Sequence, residues 1–177
     1  MTVYKSLSLN IIDSPIGPIA LAGPSPEAAF IRLQVESVEE AAKAIALEYN
    51  APIIYDPDSF PQLQGELSAY FDGTQRRFQA PYRFLGGTPF QRRVWSCLAT
   101  IPFGRTWSYG KIADTIGRPK AVRAVGQAVG SNPLAILLPC HRVVRSDGGL
   151  GGFFYGAGLK SRLLEMEANA TGNSNRR

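Results

Sequence analysis

Residues 108–129 read SYGKIADTIGRPKAVRAVGQAV, and this stretch decides how the second half of the chain folds. Ser108 suits a helix N-cap, and Ile112, Ala113 and Ile116 recur at the spacing of one inward helix face. Gly117-Arg118-Pro119 follows, with glycine suited to the left-handed end of one helix and proline to the first position of the next. A second helix is predicted over residues 119–129. Val122, Val125 and Val129 form one stripe of it, and Ala121, Ala124 and Ala128 form another. Two short helices joined by a three-residue turn have the form of a helix-turn-helix. Lys120, Arg123 and Gln127 flank the alanines. Base reading in the major groove favours long donors, whereas a face of small side chains lets a helix approach a narrow groove closely. The expectation is minor-groove docking, weighed against a plain helical hairpin with alanines packed on another element.

The charge distribution points the same way. Residues 89–177 hold 13 Lys/Arg and 4 Asp/Glu, a net of +9, while residues 1–88 hold 6 and 10, a net of −4. A basic half that carries a duplex-binding motif is the electrostatic footprint of nucleic-acid binding, and an acidic first half should not share that partner. At 177 residues, 45% hydrophobic and 19% charged, the chain suits one large or two small domains with a packed core. It does not suit free-standing disorder or a coiled coil. No apolar run approaches the ~20 residues of a membrane span, and MTVYKSLSLN lacks the features of a signal peptide. A cytoplasmic protein with reduced thiols is expected. Two cysteines and one histidine argue against a Cys/His zinc site. No metal and no cofactor are expected.

The first half reads as strands and then helices. Residues 4–12, 16–22 and 28–35 are short strand-like runs spaced by Pro/Gly turns, an antiparallel meander. A helix fits residues 37–49, capped by Ser37 with Glu39 and Glu40 in its first turn, and another fits residues 60–71, with Leu63, Leu67 and Tyr70 on one face. Pro52 and Pro57 mark a loop between them. Residues 79–87 read as a linker. Thr88-Pro89 then starts a helix whose buried stripe is Phe90, Val94, Trp95 and Leu98. The predicted organisation is an α/β domain over residues 1–78, the linker, a mostly α domain over residues 88–168 and a disordered tail over residues 169–177.

Chemistry enters at Pro139-Cys140-His141-Arg142-Val143-Val144, the end of an apolar run that opens at Asn132-Pro133. A free cysteine is ordinarily core packing. Cys140, however, lies beside the only histidine of the chain and behind a stiffening proline, with a glycine-rich segment soon after, Gly148 to Gly158. A Cys-His pair is the minimum needed to raise thiolate content, directly or through a water. Cys97, mid-helix between Trp95 and Leu98, reads as structural.

This hexapeptide resembles the active-site signature of the O6-alkylguanine-DNA alkyltransferases. Similar in the family's order are Gly87-Thr88-Pro89-Phe90-Gln91 with Val94-Trp95, Ile101-Pro102-Phe103-Gly104, Ser108-Tyr109-Gly110, Arg123-Ala124-Val125-Gly126, Ser131-Asn132-Pro133, and Leu163-Leu164 with Glu167. The first half matches loosely, through Ser14-Pro15-Ile16-Gly17 and Tyr70-Phe71-Asp72-Gly73.

The resemblance implies a ribonuclease-H-like first domain and repair of alkylated guanine, less generally thymine, by irreversible transfer of the alkyl group to Cys140, once per molecule. His141 matches the base that takes the thiol proton through a water, and Glu167 the carboxylate that orients it. Asn132 matches the hinge asparagine, and Tyr109 the phenol that donates to a flipped base. Arg123 matches the finger that replaces this base in the duplex. Ala121, Ala124, Gln127, Ala128 and Gly130 belong to the same DNA surface, and Pro139, Ala135, Val143, Tyr155 and Gly156 would line the pocket. The partner implied is double-stranded DNA bearing alkylated guanine, bound by a monomer that needs no protein partner and no membrane. The chain departs from the family pattern in the aromatic loop Gly152-Phe153-Phe154-Tyr155-Gly156 and at Ala135, where some members carry proline. Without Cys or His in its first half, it has no ligands for the zinc site of some relatives. Two other readings weigh less. A recognition-only relative would lack the cysteine, and a sequence-reading regulator would carry long polar side chains where the alanines stand.

Overall fold

In the computed structural model, which describes residues 5–172, the apolar runs of the first half become a four-stranded sheet. Strands β1 (Leu7–Ile12), β2 (Ile19–Gly23) and β3 (Phe30–Leu33) pair antiparallel, with Leu9 opposite Ala22 and Leu21 opposite Ile31. Every residue of β2 is buried, so it reads as an unbroken apolar run rather than an alternating one. Helix α1 (Val38–Tyr49) begins where Ser37 Oγ accepts from the Glu40 N–H. Its Ala41 and Ile45 join Leu7, Leu9, Ala20, Ala22 and Phe30 in one core.

The region between Pro52 and Pro57, expected as loop, holds a strand, β4 (Ile53–Tyr55), parallel to β1 at the sheet edge. The sheet is therefore mixed rather than a plain antiparallel meander. Helix α1 supplies the crossover that a parallel partner requires. Three residues between prolines carry too little periodicity to reveal the strand. Helix α2 (Pro61–Phe71) buries Leu63, Leu67 and Tyr70.

The described residues form two compact units: residues 5–86 with Pro133–Ala135, and residues 87–132 with 136–172. The segment expected as a linker, residues 79–87, is bonded into the first unit for most of its length. Ala28 donates to the Pro81 carbonyl, Arg83 N–H to the Ala28 carbonyl, and Glu66 accepts from the backbones of Gln79 and Ala80. Ile31 donates to the Pro133 carbonyl of the same unit.

The second unit opens with helix α3 (Pro89–Leu98), held at its start by a full capping box between Thr88 and Gln91. Trp95 Nε1 donates to the Ala128 carbonyl at 2.7 Å, pinning α3 to a later helix. Gly87 (φ +86°) lies so close to the Trp95 ring that a Cβ there would meet it at 2.4 Å. A two-residue strand, β5 (Trp107–Ser108), leads into α4 (Tyr109–Thr115), capped by Ser108. Helix α5 (Val122–Gly130) follows.

Its start differs from the expectation of a helix from Pro119. Ala121 N–H bonds to the Arg118 carbonyl, three residues back, so residues 118–121 form a turn, and helical bonding begins with Val125 to Ala121. The stripes differ too: Val122 is 40% exposed, while Val125, Ala128 and Val129 are buried. A three-residue 3-10 turn, Cys140–Arg142, runs into β6 (Val143–Val144), which pairs parallel with β5. Helix α6 (Ala157–Ala170) closes the unit. Residues 169 and 170, expected in a disordered tail, end this helix, and Thr171 bonds back to the Glu167 carbonyl. The rest of that expectation, residues 173–177, lies outside the described residues.

Candidate active site

Cys140 sits at the start of the 3-10 turn, buried, with its N–H bonded to the Leu138 carbonyl at 2.7 Å. The run before it is fully buried from Leu134 to Leu138. Ile136 has φ +69°, a left-handed conformation that is costly for a β-branched side chain. Asn132, just beyond α5, donates from Nδ2 to the Leu138 carbonyl at 2.7 Å, bridging the helix end and the cysteine loop. Its side chain also hydrogen-bonds the Cys140 sulfur.

His141, next along the turn, is completely buried. Its Nε2 lies 2.8 Å from Oε1 of Glu167, also completely buried, on α6. Arg142 grips the same carboxylate: Nε reaches Oε1 and Oε2 at 3.1 and 2.9 Å, and Nη2 reaches Oε1 at 2.9 Å. Its Nη1 donates to the Ile101 carbonyl at 2.7 Å, and its guanidinium lies over the Phe103 ring at 5.5 Å. The Gly104 N–H supplies a further donor to Glu167 Oε2 at 3.0 Å.

These contacts set the protonation states. Burial alone would push the Glu167 carboxyl up, but the His141 and Arg142 hydrogen bonds and charges hold it down at about 2. Burial pushes the His141 pKa below its ordinary value against the pull of Glu167, so the ring is neutral near neutral pH. An ionised Glu167 can only accept, which places the ring hydrogen on Nε2 and the basic lone pair on Nδ1. Burial pushes the Cys140 thiol up, opposed by the Asn132 bond, the Lys160 charge and the local backbone. The resting sulfur is therefore a thiol, and the site holds a neutral base with which to deprotonate it.

Tyr109, at the start of α4, is half-buried between two glycines. A Cβ on Gly151 would meet its hydroxyl at 2.8 Å, and one on Gly126 of α5 would meet its ring at 3.9 Å. Its oxygen takes a backbone hydrogen bond at Gly152, which leaves the hydroxyl hydrogen for another acceptor. The exposed face of α5 carries Arg123, Ala124, Gln127 and Gly130, with Ala121 partly buried before it. Ala128, expected on that face, is 2% exposed and turned into the unit, because its position falls on the same side as Val125 and Val129. Val122 takes the open position instead.

Pro139 and Val143 are buried beside the cysteine in sequence, whereas Ala135 is buried and groups with the first unit. Tyr155 packs edge-on against Phe153 and Phe154, and Gly156 (φ +89°) caps α6. Two buried cations escaped the sequence reading. Arg142 was only part of a motif, and Lys160, completely buried, donates from Nζ to the Val143 and Gly152 carbonyls at 2.6 and 3.3 Å. The signal for Lys160 was its helix stripe, since Lys160, Leu163 and Glu167 fall at i, i+3 and i+7.

Comparison with known proteins bears on this geometry. Residues 89–169 match the family model described as 6-O-methylguanine DNA methyltransferase, DNA binding domain. The chain is 45% identical over 156 residues to the methylated-DNA–protein-cysteine methyltransferase of Mycobacterium tuberculosis, covering 88% of this chain and 89% of the relative. It is 40% identical over 163 residues to the protein of that name from Methanosarcina barkeri, covering 90% and 96%. Among solved structures, Mycobacterium tuberculosis OGT in complex with DNA is similar at a TM-score of 0.80 and 42% identity, covering 92% of this chain and 94% of that one.

Proposed function

The chain belongs to the methylated-DNA–protein-cysteine methyltransferase family, and on that premise we propose that Cys140 is the acceptor in a single-turnover repair reaction on O6-alkylguanine in DNA. It is a DNA-repair enzyme acting by direct reversal, and DNA is its partner. The buried His141–Glu167–Arg142 cluster beside the only cysteine so placed is the observation that carries the assignment.

The step balances as a displacement at saturated carbon. The Cys140 proton passes through a water to Nδ1 of His141, and the thiolate sulfur attacks the alkyl carbon. The S–C bond forms as the C–O6 bond breaks, and the electron pair leaves on guanine, which is reprotonated. Thiolate is the soft nucleophile this step needs. Glu167 stabilises the imidazolium that forms, as the third group of a nucleophile-base-orienter set. Tyr109, with its hydroxyl hydrogen uncommitted, donates to the departing base. The thioether product is not reversed by thiol exchange, so each molecule acts once. Asn132 couples the end of α5 to the reacting sulfur.

A base inside a duplex is out of reach of a buried sulfur, so the nucleotide is turned out of the stack. In this reading α4 and α5 are a helix-turn-helix docked in the minor groove, with Arg123 filling the vacated space. Ala121, Ala124, Gln127 and Gly130 offer the low-profile face such docking needs. Pro139, Val143, Tyr155 and Gly156 line the base pocket. The sheet and α1 of the first unit are read as ribonuclease-H-like, and the protein as a cytoplasmic monomer. The test is intact and peptide mass after mixing with duplex carrying one O6-methylguanine. One methyl on Cys140, restored guanine and a stop at one equivalent are expected. Lesion binding with no mass change would overturn the proposal.

A further inference from the structure

Helix α5 is followed by Ser131 at φ −98°, outside the left-handed region that ordinarily caps a helix end, so its last carbonyls need donors from elsewhere. Three of the last four have them. The Gln127 and Val129 carbonyls accept from the Ser131 and Asn132 N–H groups, and the Ala128 carbonyl between them accepts from two side chains. One donor is Trp95 Nε1, buried, at 2.7 Å. The other is Ser131 Oγ at 3.1 Å, which itself accepts from Gln91 Nε2 at 3.0 Å. Both Trp95 and Gln91 stand on α3, where Gln91 Oε1 is fixed by the Thr88 N–H.

The residue held by this grip is the next one along. Asn132 is bonded back to Val129 through its N–H, while its side chain reaches forward to the Leu138 carbonyl and the Cys140 sulfur. Hydrogen bonds weaken steeply as their angle opens, so a last turn of α5 that could rock would loosen both. Burial pushes the Cys140 thiol up, and the Asn132 bond leads the groups that draw it back. The bonds from α3 therefore bear on the sulfur without touching it.

We propose that Trp95 and Ser131 are positioning residues for alkyl transfer: together they fix the Ala128 carbonyl, and with it the last turn of α5, so that Asn132 stays bonded to the Cys140 sulfur. This rests on Cys140 being the acceptor, but its test needs no DNA. Ser131→Ala breaks the relay from Gln91 at an exposed position, and Ser131→Thr keeps the hydroxyl. Trp95→Phe keeps an aromatic ring and removes the N–H. Thr88→Ala weakens the start of α3 but leaves the backbone N–H that holds Gln91, so it isolates the effect of lost stability. The titratable groups that face the sulfur, Tyr109 of α4, His141 of the 3-10 turn and Lys160 of α6, are the same in all four variants. The rate of Cys140 modification by iodoacetamide is followed against pH by peptide mass, and Tm is measured beside it.

Thiolate is the reacting form, so the profile reports the thiol directly. For Ser131→Ala it is expected to move up by about half a pH unit, a slowing of about threefold near neutral pH that recovers in alkali. Trp95→Phe is expected to move it at least as far, with a lowered Tm. Ser131→Thr is expected to keep the wild-type profile, and Thr88→Ala to keep it while lowering Tm. A folded Ser131→Ala or a folded Trp95→Phe with an unmoved profile overturns the proposal. So does a Thr88→Ala profile that moves as far as that of Ser131→Ala, because the shift would then follow stability rather than the bonds. Should Trp95→Phe fail to fold, Ser131→Ala decides alone. A wild type that repairs no O6-methylguanine, yet shows the shifted Ser131→Ala profile, sinks the repair assignment and leaves the hold on Asn132 standing.

Discussion

At Glu167 one carboxylate receives hydrogen from His141, from two nitrogens of Arg142 and from the Gly104 backbone, with no exposed surface. Removing its charge leaves Arg142 buried against a neutral acceptor. Glu167→Gln is therefore expected to cost about 3–5 kcal/mol of folding stability, the usual penalty for breaking a buried pair from one side. The same contacts fix the pH dependence. Glu167 is held at about 2 against an ordinary 4.5, so its contribution is complete above 4.5 and drains away as pH falls toward 2. His141 is also depressed, so its contribution is complete above 6.5 and declines below it. Thermal unfolding against pH should show stability falling in acid in two stages, and the lower stage should flatten in Glu167→Gln. A variant that keeps the full slope between 4.5 and 2 would refute the assignment. Cys140, His141 and Glu167 were legible in the sequence because a short motif and a fixed spacing mark them. Arg142 and Lys160 were not, since a charged side chain on a helix or turn ordinarily reads as solvated, and only the stripe through Leu163 tells otherwise.

Elements were legible where end chemistry is local. Ser37, Thr88 and Ser108 each accept the backbone hydrogen bond that starts a helix, and those three helices begin where these residues say. Thr88→Ala removes half of a capping box and is expected to lower stability by about 0.5–2 kcal/mol, read as a fall in Tm. Elements set by distant partners were not legible. β4 exists because β1 offers it a parallel edge, and β6 because β5 does, so neither two- nor three-residue run announces itself. Helix α5 starts late because residues 118–121 close a turn of their own, a choice that proline at the start of a helix does not dictate. The late start makes the exposed face of α5 short and leaves Arg123 on its first turn, outside the packed core. Arg123→Ala should change folding stability by no more than about 0.5 kcal/mol while weakening binding to lesion-bearing duplex and slowing methyl transfer. An equal loss of stability and activity would instead make it a structural residue.

On the scale of the whole molecule, a single-use reaction couples chemistry to stability. The charge asymmetry, −4 against +9, was readable from composition and assigns the DNA to the second unit, but no composition reveals how little room the sulfur has. Cys140 is 7% exposed, its loop carries a left-handed isoleucine, and Asn132 ties that loop to the end of α5 while bonding the sulfur. A methyl group on the sulfur adds volume to a packed site and replaces the thiol hydrogen. Overpacking of this kind costs about 1–3 kcal/mol, and here it falls on the junction between the end of α5 and the cysteine loop. Stoichiometric methylation by O6-methylguanine duplex, followed by removal of the DNA, should therefore lower Tm, and a benzyl adduct should lower it further. Cys140→Ala, which keeps the packing open and accepts no alkyl group, should show no shift after the same treatment. Were the methylated protein to melt at the temperature of the free one, the site would have to hold space for the product, and the loss of activity after one turnover would be purely chemical.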